Sequence, residues 1–566
     1  MPKLDFSHYY LYDEIKQFLE QVAVEYPDLV SVSSIGKSYE GREILLATLT
    51  NRGSGPDTEK PAYWIDANTH AGEVTGSAVA LYTIDYYASS YGKDPRITAL
   101  LDNYTIYVLP RITVDGSEKY LTSPHYLRSS TRRYPFIEDR EGLYPDDIDG
   151  DGKILQMRIE DPNGAWRASK EDPRVMCRRG PDDIFTGSEA YYHIVSEGII
   201  NEWDGHAIKL APAREGLDLN RNYPHDWAPE GEQRGAGDYP FSEPETRAEA
   251  EFWAAHHNIN GFLSYHTYSG VILRPYSTHP DEHFATHDLD VYKLIGERGT
   301  ELTGYPCISV FHGFAYDPKE PMHGAMDDYA FDFYGWFGFT TELWDPPKQA
   351  GIEVTDFIGW MKFHPEEDDL KLMRWNDEQQ GGKAFIPWHD FTHPQLGKVE
   401  IGGWDTKNYW TNAPAASLPE LCEKHSQFTL AHALMSPRLE VRRADVQKEA
   451  EGVYVVSVVI ANKGFLPTYT SHRAKDRKIL RPIEAHIKLP SGAKLLAGDK
   501  DQEIGQLEGR SNKIHGGFFA SRDVTDHEKR LEWVVSLAGG TSGEAEVEVT
   551  VQSERAGTIR KRLTLT

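Results

Sequence analysis

A histidine and a glutamate three residues apart, His70 and Glu73, lie between an apolar run, Pro61 to Ala67, and a helix-like run, Gly76 to Tyr87. On a turn leaving a buried strand, both side chains can aim at one point. Zinc accepts that pair: imidazole nitrogen and carboxylate oxygen bind it at about 2.0–2.2 Å, and a catalytic site adds a third protein ligand and an open position for water. HxxE alone also describes an ordinary polar turn. Later segments add reactive residues in Ser264-Tyr265-His266, in Thr340-Thr341-Glu342 and in the loop Asp218-Leu219-Asn220-Arg221-Asn222. In open α/β sheets ligands bind beyond the carboxyl ends of strands, so His70, Glu73, His266 and Glu342 are expected on one rim.

The elements that must position them follow from periodicity. Ile15, Phe18, Leu19 and Val22 have i, i+3, i+4, i+7 spacing, which predicts a helix from Tyr12 to Tyr26. Val30 to Ile35, Ile44 to Leu49, Ala62 to Ala67, Tyr104 to Leu109, Gly261 to Tyr265 and Trp336 to Thr341 read as strands. Helices are expected at Pro244 to His256 and at Leu418 to Met435. Strands alternating with helices predict an α/β domain: a mixed, mostly parallel sheet flanked by helices. Its expected extent is residues 1–435, with irregular insertions at about 134–213 and 366–411. Beyond Pro437, Val453 to Ile460 is β-branched, and Ile483, Ala485, Ile487 and Leu489 alternate with polar residues, as do Ala545, Val547, Val549 and Val551. That predicts a β-sandwich over 436–566, an accessory domain without a catalytic constellation.

At 566 residues the chain exceeds one ordinary core. No stretch approaches the ~20 apolar residues of a membrane helix. No apolar signal core follows Met1, so the chain reads as cytoplasmic, or as secreted if a leader has been removed. A formal charge of −28 argues against nucleic acid, which demands a basic surface. Cys177, Cys307 and Cys422 are too scattered for a disulfide framework or a CxxC zinc site. Asp147, Asp149 and Asp151 alternate ahead of Gly152, as at the start of a calcium loop, but Arg158 stands where the closing Glu is needed. A tight polar turn is the expectation, with calcium as its alternative. His256, His257, His323, His389 and His393 read as surface or satisfied core residues.

Several ordered motifs resemble the zinc metallocarboxypeptidases of the pancreatic carboxypeptidase A and B type: Ile35-Gly36-Lys37-Ser38-Tyr39-Glu40-Gly41-Arg42, His70-Ala71-Gly72-Glu73, Val114-Asp115-Gly116, Asp218 to Asn222, Ser264 to Tyr268, and Phe339 to Leu343. The resemblance implies one zinc ion on His70, Glu73 and His266, Asp218 fixing an imidazole from behind, and Glu342 as general base. It implies that Asn220 and Arg221 clamp a terminal carboxylate. The family has two Arg three apart where this chain has Arg128 and Arg132 four apart; Arg132 is the expected oxyanion partner and Arg128 a secondary carboxylate contact. Tyr316 is the counterpart of a substrate-capping Tyr, Tyr268 lies at the substrate site, and Asp327 is aligned with a pocket-floor Asp that selects basic residues.

The expected function is hydrolysis of C-terminal peptide bonds, with peptide or protein C-termini as substrate and no membrane or nucleic-acid partner. A related zinc amidohydrolase acting on cell-wall peptides or N-acyl amino acids is the alternative. A catalytically inactive peptide-binding protein is a third reading.

Overall fold

The structure, a computed structural model, describes residues 4–184, 187, 189–317, 319–514, 524–537 and 545–565. Residues 1–3 of the stretch inspected for a signal core, and 515–523, 538–544 and 566 of the expected sandwich, lie outside the described residues. A mixed eight-stranded sheet organises the first part of the chain. Its strands are β1 (Val30–Lys37), β2 (Glu43–Leu49), β3 (Ala62–Ala67), β4 (Thr105–Leu109), β5 (Ile259–Thr267), β6 (Val271–Arg274), β7 (Cys307–Ser309) and β8 (Phe337–Leu343). They lie in the order β1-β2-β4-β3-β5-β8-β6-β7. β4, β3, β5 and β8 run parallel to their neighbours in that series, as do β6 and β7, while the β1-β2-β4 edge and the β8-β6 pair are antiparallel.

β3, β4, β5 and β8 are buried along their whole length. That is the burial of a sheet covered on both faces. Successive side chains serve opposite cores. Tyr63, Ile65 and Ala67 join the helices Thr75–Ser90 and Leu418–Ala433 on one face, and Ala62 and Trp64 meet Ala248 and Trp253 of the helix Pro244–Ala255 on the other. The helix Tyr12–Glu25 buries Ile15, Phe18, Leu19 and Val22, the stripe its spacing predicts.

The two irregular stretches differ from expectation: they contribute strands to a common sheet. Phe385–His393, Gly397–Trp404, Gln156–Glu160, Tyr191–Ser196, Trp166–Ala168 and Met176–Arg178 form six strands in that order. Gly402, Ile401 and Glu400 pair with Gln156, Met157 and Arg158. The sequence around Asp147 is a turn, as expected. Asp147 accepts the Gly150 and Gly152 N–H groups at 2.8 and 2.9 Å, and Asp151 accepts that of Lys153 at 2.8 Å. The carboxylate that joins Asp147 and Asp149 is Glu197, itself taken up by the Ile148 and Leu155 N–H groups, and not Asp151.

Beyond Pro437, two antiparallel four-stranded sheets enclose Val456, Val458, Ile460, Ile487, Trp533, Val549 and Val551. Among the described residues no helix is long and apolar enough to cross a membrane.

The rim of the sheet is locked by close approach. A Cβ on Gly116 would stand 1.9 Å from the Ser129 carbonyl oxygen. Ser129 donates to the Thr69 carbonyl at 2.9 Å, and the Ala71 N–H donates to the Arg128 carbonyl at 2.8 Å. The segment carrying Arg128 is thereby fastened to the HxxE turn. Gly116→Ala is expected to destabilise the chain by about 1–3 kcal/mol through overpacking, read as a lower denaturant midpoint. An unchanged midpoint would mean that the two segments are not locked together.

Candidate active site

His70 and Glu73 stand on the turn after β3, which Asn68 opens with a φ of 60°. A left-handed residue is uncommon outside Gly, and Asn tolerates it best. The Asn68 backbone carbonyl accepts the Thr113 hydroxyl and its side-chain oxygen the Ser77 hydroxyl, so the strained turn is held on two sides. His266 is near the end of β5 and Glu342 near the end of β8, in direct register. Parallel pairing of β3, β5 and β8 brings the strand ends to one rim.

The His70 Nδ1 lies 2.8 Å from Glu73 Oε1, the His266 Nδ1 lies 3.0 Å from Glu73 Oε2, and the two Nδ1 atoms are 3.0 Å apart. All three residues are buried. The far sides of both rings have acceptors. His70 Nε2 faces Asp218 Oδ1 at 3.1 Å, and His266 Nε2 faces Ser264 Oγ at 3.1 Å, with Ser264 donating in turn to Asp66 at 2.5 Å. Protons placed on Nε2 leave both Nδ1 lone pairs directed at the space beside the Glu73 carboxylate. That donor set, with its orienting partners, fits zinc. Burial raises the Glu73 carboxyl, but the two imidazoles outweigh it and hold it below the usual range.

Asp218 is held by more than His70. Arg128 Nε donates to its Oδ2 at 2.9 Å, while Arg128 Nη1 lies 3.6 Å from Glu73. Burial raises the Asp218 carboxyl, yet Arg128, Arg221 and His70 together bring it well below its ordinary value. Glu342 moves the other way: burial and the nearby Glu73 push it well above, against Arg128.

One pocket is lined by His70, His266, Glu342, Arg128, Asn220 and Arg221, together with Tyr316 and Asp327. Asn220 accepts the Met326 N–H through Oδ1 at 2.8 Å, leaving its NH₂ as donor. Arg221 is buried, and its hydrogen-bond partners are neutral: the Asn220 carbonyl at 2.7 Å and the Met322 sulfur at 3.1 Å. Tyr316 is 55% exposed at the mouth. Tyr268 is not part of this lining; its ring packs edge-on against Phe357 and Trp410.

Arg132 departs from expectation. Its guanidinium makes two bonds to the buried Glu243, at 2.6 and 3.1 Å, and does not line the pocket. Arg128 occupies the position beside the cluster. Sequence reasoning also missed Asp66 and the supporting role of Ser264. Their signals were an acidic residue inside the apolar run of β3, and a hydroxyl two residues before His266, hence on the same face of the strand.

A mixed α/β sheet with a buried His-Glu-His cluster at its strand ends defines a metal-dependent class of scaffold. The zinc carboxypeptidase family matches residues 15–372, and the chain belongs to that family. A domain of unknown function matches residues 438–564. Carboxypeptidase A2 of Rattus norvegicus is 26% identical over 350 residues, covering 60% of this chain and 64% of that protein. Carboxypeptidase B of Bos taurus is 25% identical over 360 residues, covering 61% and 66%. The chain thus spans slightly less than two thirds of these relatives. Among solved structures, thrombin activatable fibrinolysis inhibitor aligns with a TM-score of 0.42 at 18% identity, covering 76% of this chain and 74% of that one.

Asp218→Ala is expected to weaken zinc binding roughly 10–100-fold, the usual cost of losing an orienting partner. Competition against a chromophoric chelator measures it. Affinity equal to the parent's would show that Asp218 does not orient His70.

Proposed function

We propose that the protein is a zinc metallocarboxypeptidase that hydrolyses the last peptide bond of peptide or protein C-termini. The reading rests on one observation above others: the buried Arg221, with only neutral hydrogen-bond partners, lines the same pocket as His70, His266 and Glu342. A guanidinium so placed can meet a carboxylate bidentately, which a free C-terminus supplies and an internal peptide bond does not.

Zinc supplies two things when bound: it polarises the scissile carbonyl and lowers the pKa of a water from 15.7 towards about 7. His70, Glu73 and His266 would hold it. Glu342 would take the proton of the attacking water and deliver it to the departing amine. Arg128, and not Arg132, would face the developing oxyanion; Arg132 is committed to Glu243. Asn220 would donate its NH₂ to the terminal carboxylate beside Arg221, and Tyr316 would cover the substrate from the mouth. The complete set of ligands, base and clamp disfavours an inactive binding protein.

Glu342→Gln is expected to keep zinc and lose turnover by about 10²–10⁴-fold, the ordinary worth of a general base. A chain that keeps metal and stays nearly as active would remove Glu342 from that role. C-terminal amidation of the substrate should abolish cleavage. Equal cleavage of amidated and free peptides would remove the clamp and the exopeptidase reading with it.

The finer proposal is a preference for basic C-terminal residues. Asp327 is a buried carboxylate in a lining that includes Leu273, Val310, Phe314 and Met322. Apolar walls suit the stem of Lys or Arg, and the carboxylate suits its charged end. Burial raises the Asp327 carboxyl to about 6, against backbone N–H bonds and the Arg221 charge. Above that value it is anionic; as pH falls through it, the charge and the preference are lost. The ratio of kcat/KM for Arg-terminated over Phe-terminated peptides should therefore fall on acidification, while effects on the metal and base cancel in the ratio. A ratio independent of pH, or one favouring Phe throughout, would sink the assignment.

A further inference from the structure

A second constellation lies outside the pocket. His225 and Asp226 stand on the loop that follows Asn220 and Arg221, and His279 stands on the loop after β6. One ligand atom from each falls within 4.8 Å of the others. The His279 Nε2 is 2.8 Å from Asp226 Oδ2, and the His225 Nε2 is 3.5 Å from the same oxygen. Ligands at about 2.0–2.2 Å from a tetrahedral zinc stand roughly 3.3–3.6 Å apart. These spacings resemble those of His70, Glu73 and His266, which run from 2.8 to 3.0 Å.

Two independent observations point to a ligand. The His225 side chain is only 10% exposed, and its Nε2 is closed to solvent with no hydrogen-bond partner. A buried ring nitrogen left unpaired is unfavourable unless something binds it. Its other nitrogen, Nδ1, faces the Asp332 carboxylate at 3.6 Å. Carboxylate behind, and in front a nitrogen that makes no hydrogen bond, is the arrangement that orients a ligating imidazole.

We propose that His225, Asp226 and His279 bind a second divalent transition metal of the zinc class. Two imidazole nitrogens and one carboxylate select such an ion over calcium or magnesium, which take oxygen ligands. The His279 and Asp226 side chains, 35% and 36% exposed, give it a path from solvent. The site joins the loop of the Arg221 clamp to the loop of Ser277, whose N–H donates to Asp328 at 2.9 Å beside the pocket. Its role is to clasp one wall of the substrate pocket, not to activate water.

The test is metal counting on the full chain, stripped with chelator, dialysed against zinc and desalted. The parent is expected to carry two zinc ions per chain. His279→Gln, a change at a partly exposed side chain, should carry one, as should His266→Ala. The double variant should carry none. The thermal midpoint of His266→Ala should still rise with zinc, and that rise should vanish on adding His279→Gln; Glu73→Gln serves in place of His266→Ala if that chain does not fold. A parent with a single zinc, or a His279→Gln chain with as many ions as its parent, overturns the site.

Discussion

The rim of the sheet concentrates buried charge that the protein alone does not balance. Glu73, Asp218 and Glu342 are all buried, and Arg128 is the cation placed among them. With both imidazoles neutral, three carboxylates face two guanidiniums, those of Arg128 and Arg221. Uncompensated charge in a low-dielectric site is costly, and such groups either neutralise or acquire a counter-ion. The opposed shifts express that conflict: Asp218 and Glu73 are held ionised by their partners, and Glu342 is driven towards its neutral form. A divalent cation between Glu73 and the imidazoles relieves it and leaves Glu342 able to carry charge. Arg221 adds its charge to that of Arg128 in holding Asp218 ionised, yet its own hydrogen-bond partners are neutral, so its N–H groups are not committed to a carboxylate.

That arrangement depends on strand register more than on any loop. His266 and Glu342 face each other across β5 and β8, and Tyr265 pairs with Ala67 at the end of β3. A one-residue slip would turn His266 to the opposite face. Burial of both faces is what fixes the register: alternate residues of each strand belong to separate cores, so no slipped pairing keeps the apolar set inside.

The gathering of His70, Glu73, His266 and Glu342 on one rim was legible because each follows or ends an apolar run, where period and composition are strongest. Arg128 and Arg132 were not separable by the same means. The choice is made by Glu243, 111 residues downstream of Arg132, and nothing local announces that pairing. The six-stranded sheet was hidden for a related reason. Several of its strands are only three to five residues long, and Gln156 finds Gly402 across an intervening domain's worth of chain. Short strands with mixed exposure carry little periodicity. The histidines of the second cluster, 225 and 279, have no motif because they lie on separate loops that meet only in the fold.

The C-terminal sheets act on the opposite ends of the same strands. Arg555 is fully buried; one arm donates to the carbonyl of Ile259, where β5 begins, and the other to that of Tyr334, just ahead of β8, at 2.9 Å. Thr470 donates to Asn260 at 2.7 Å, and Ser471 to the Gly335 carbonyl at 2.7 Å. Those strands carry His266 and Glu342 at their far ends. A staple across two strand starts opposes relative sliding of the strands, which is the motion that would separate His266 from Glu342. Arg473 and Arg477 extend the contact to Asp332, the carboxylate behind His225. Among the described residues the β-rich region places no group in the pocket lining, yet it touches the strands that carry His266 and Glu342 and the carboxylate behind His225, and its attachment is polar and directional where a merely tethered domain would need no buried guanidinium.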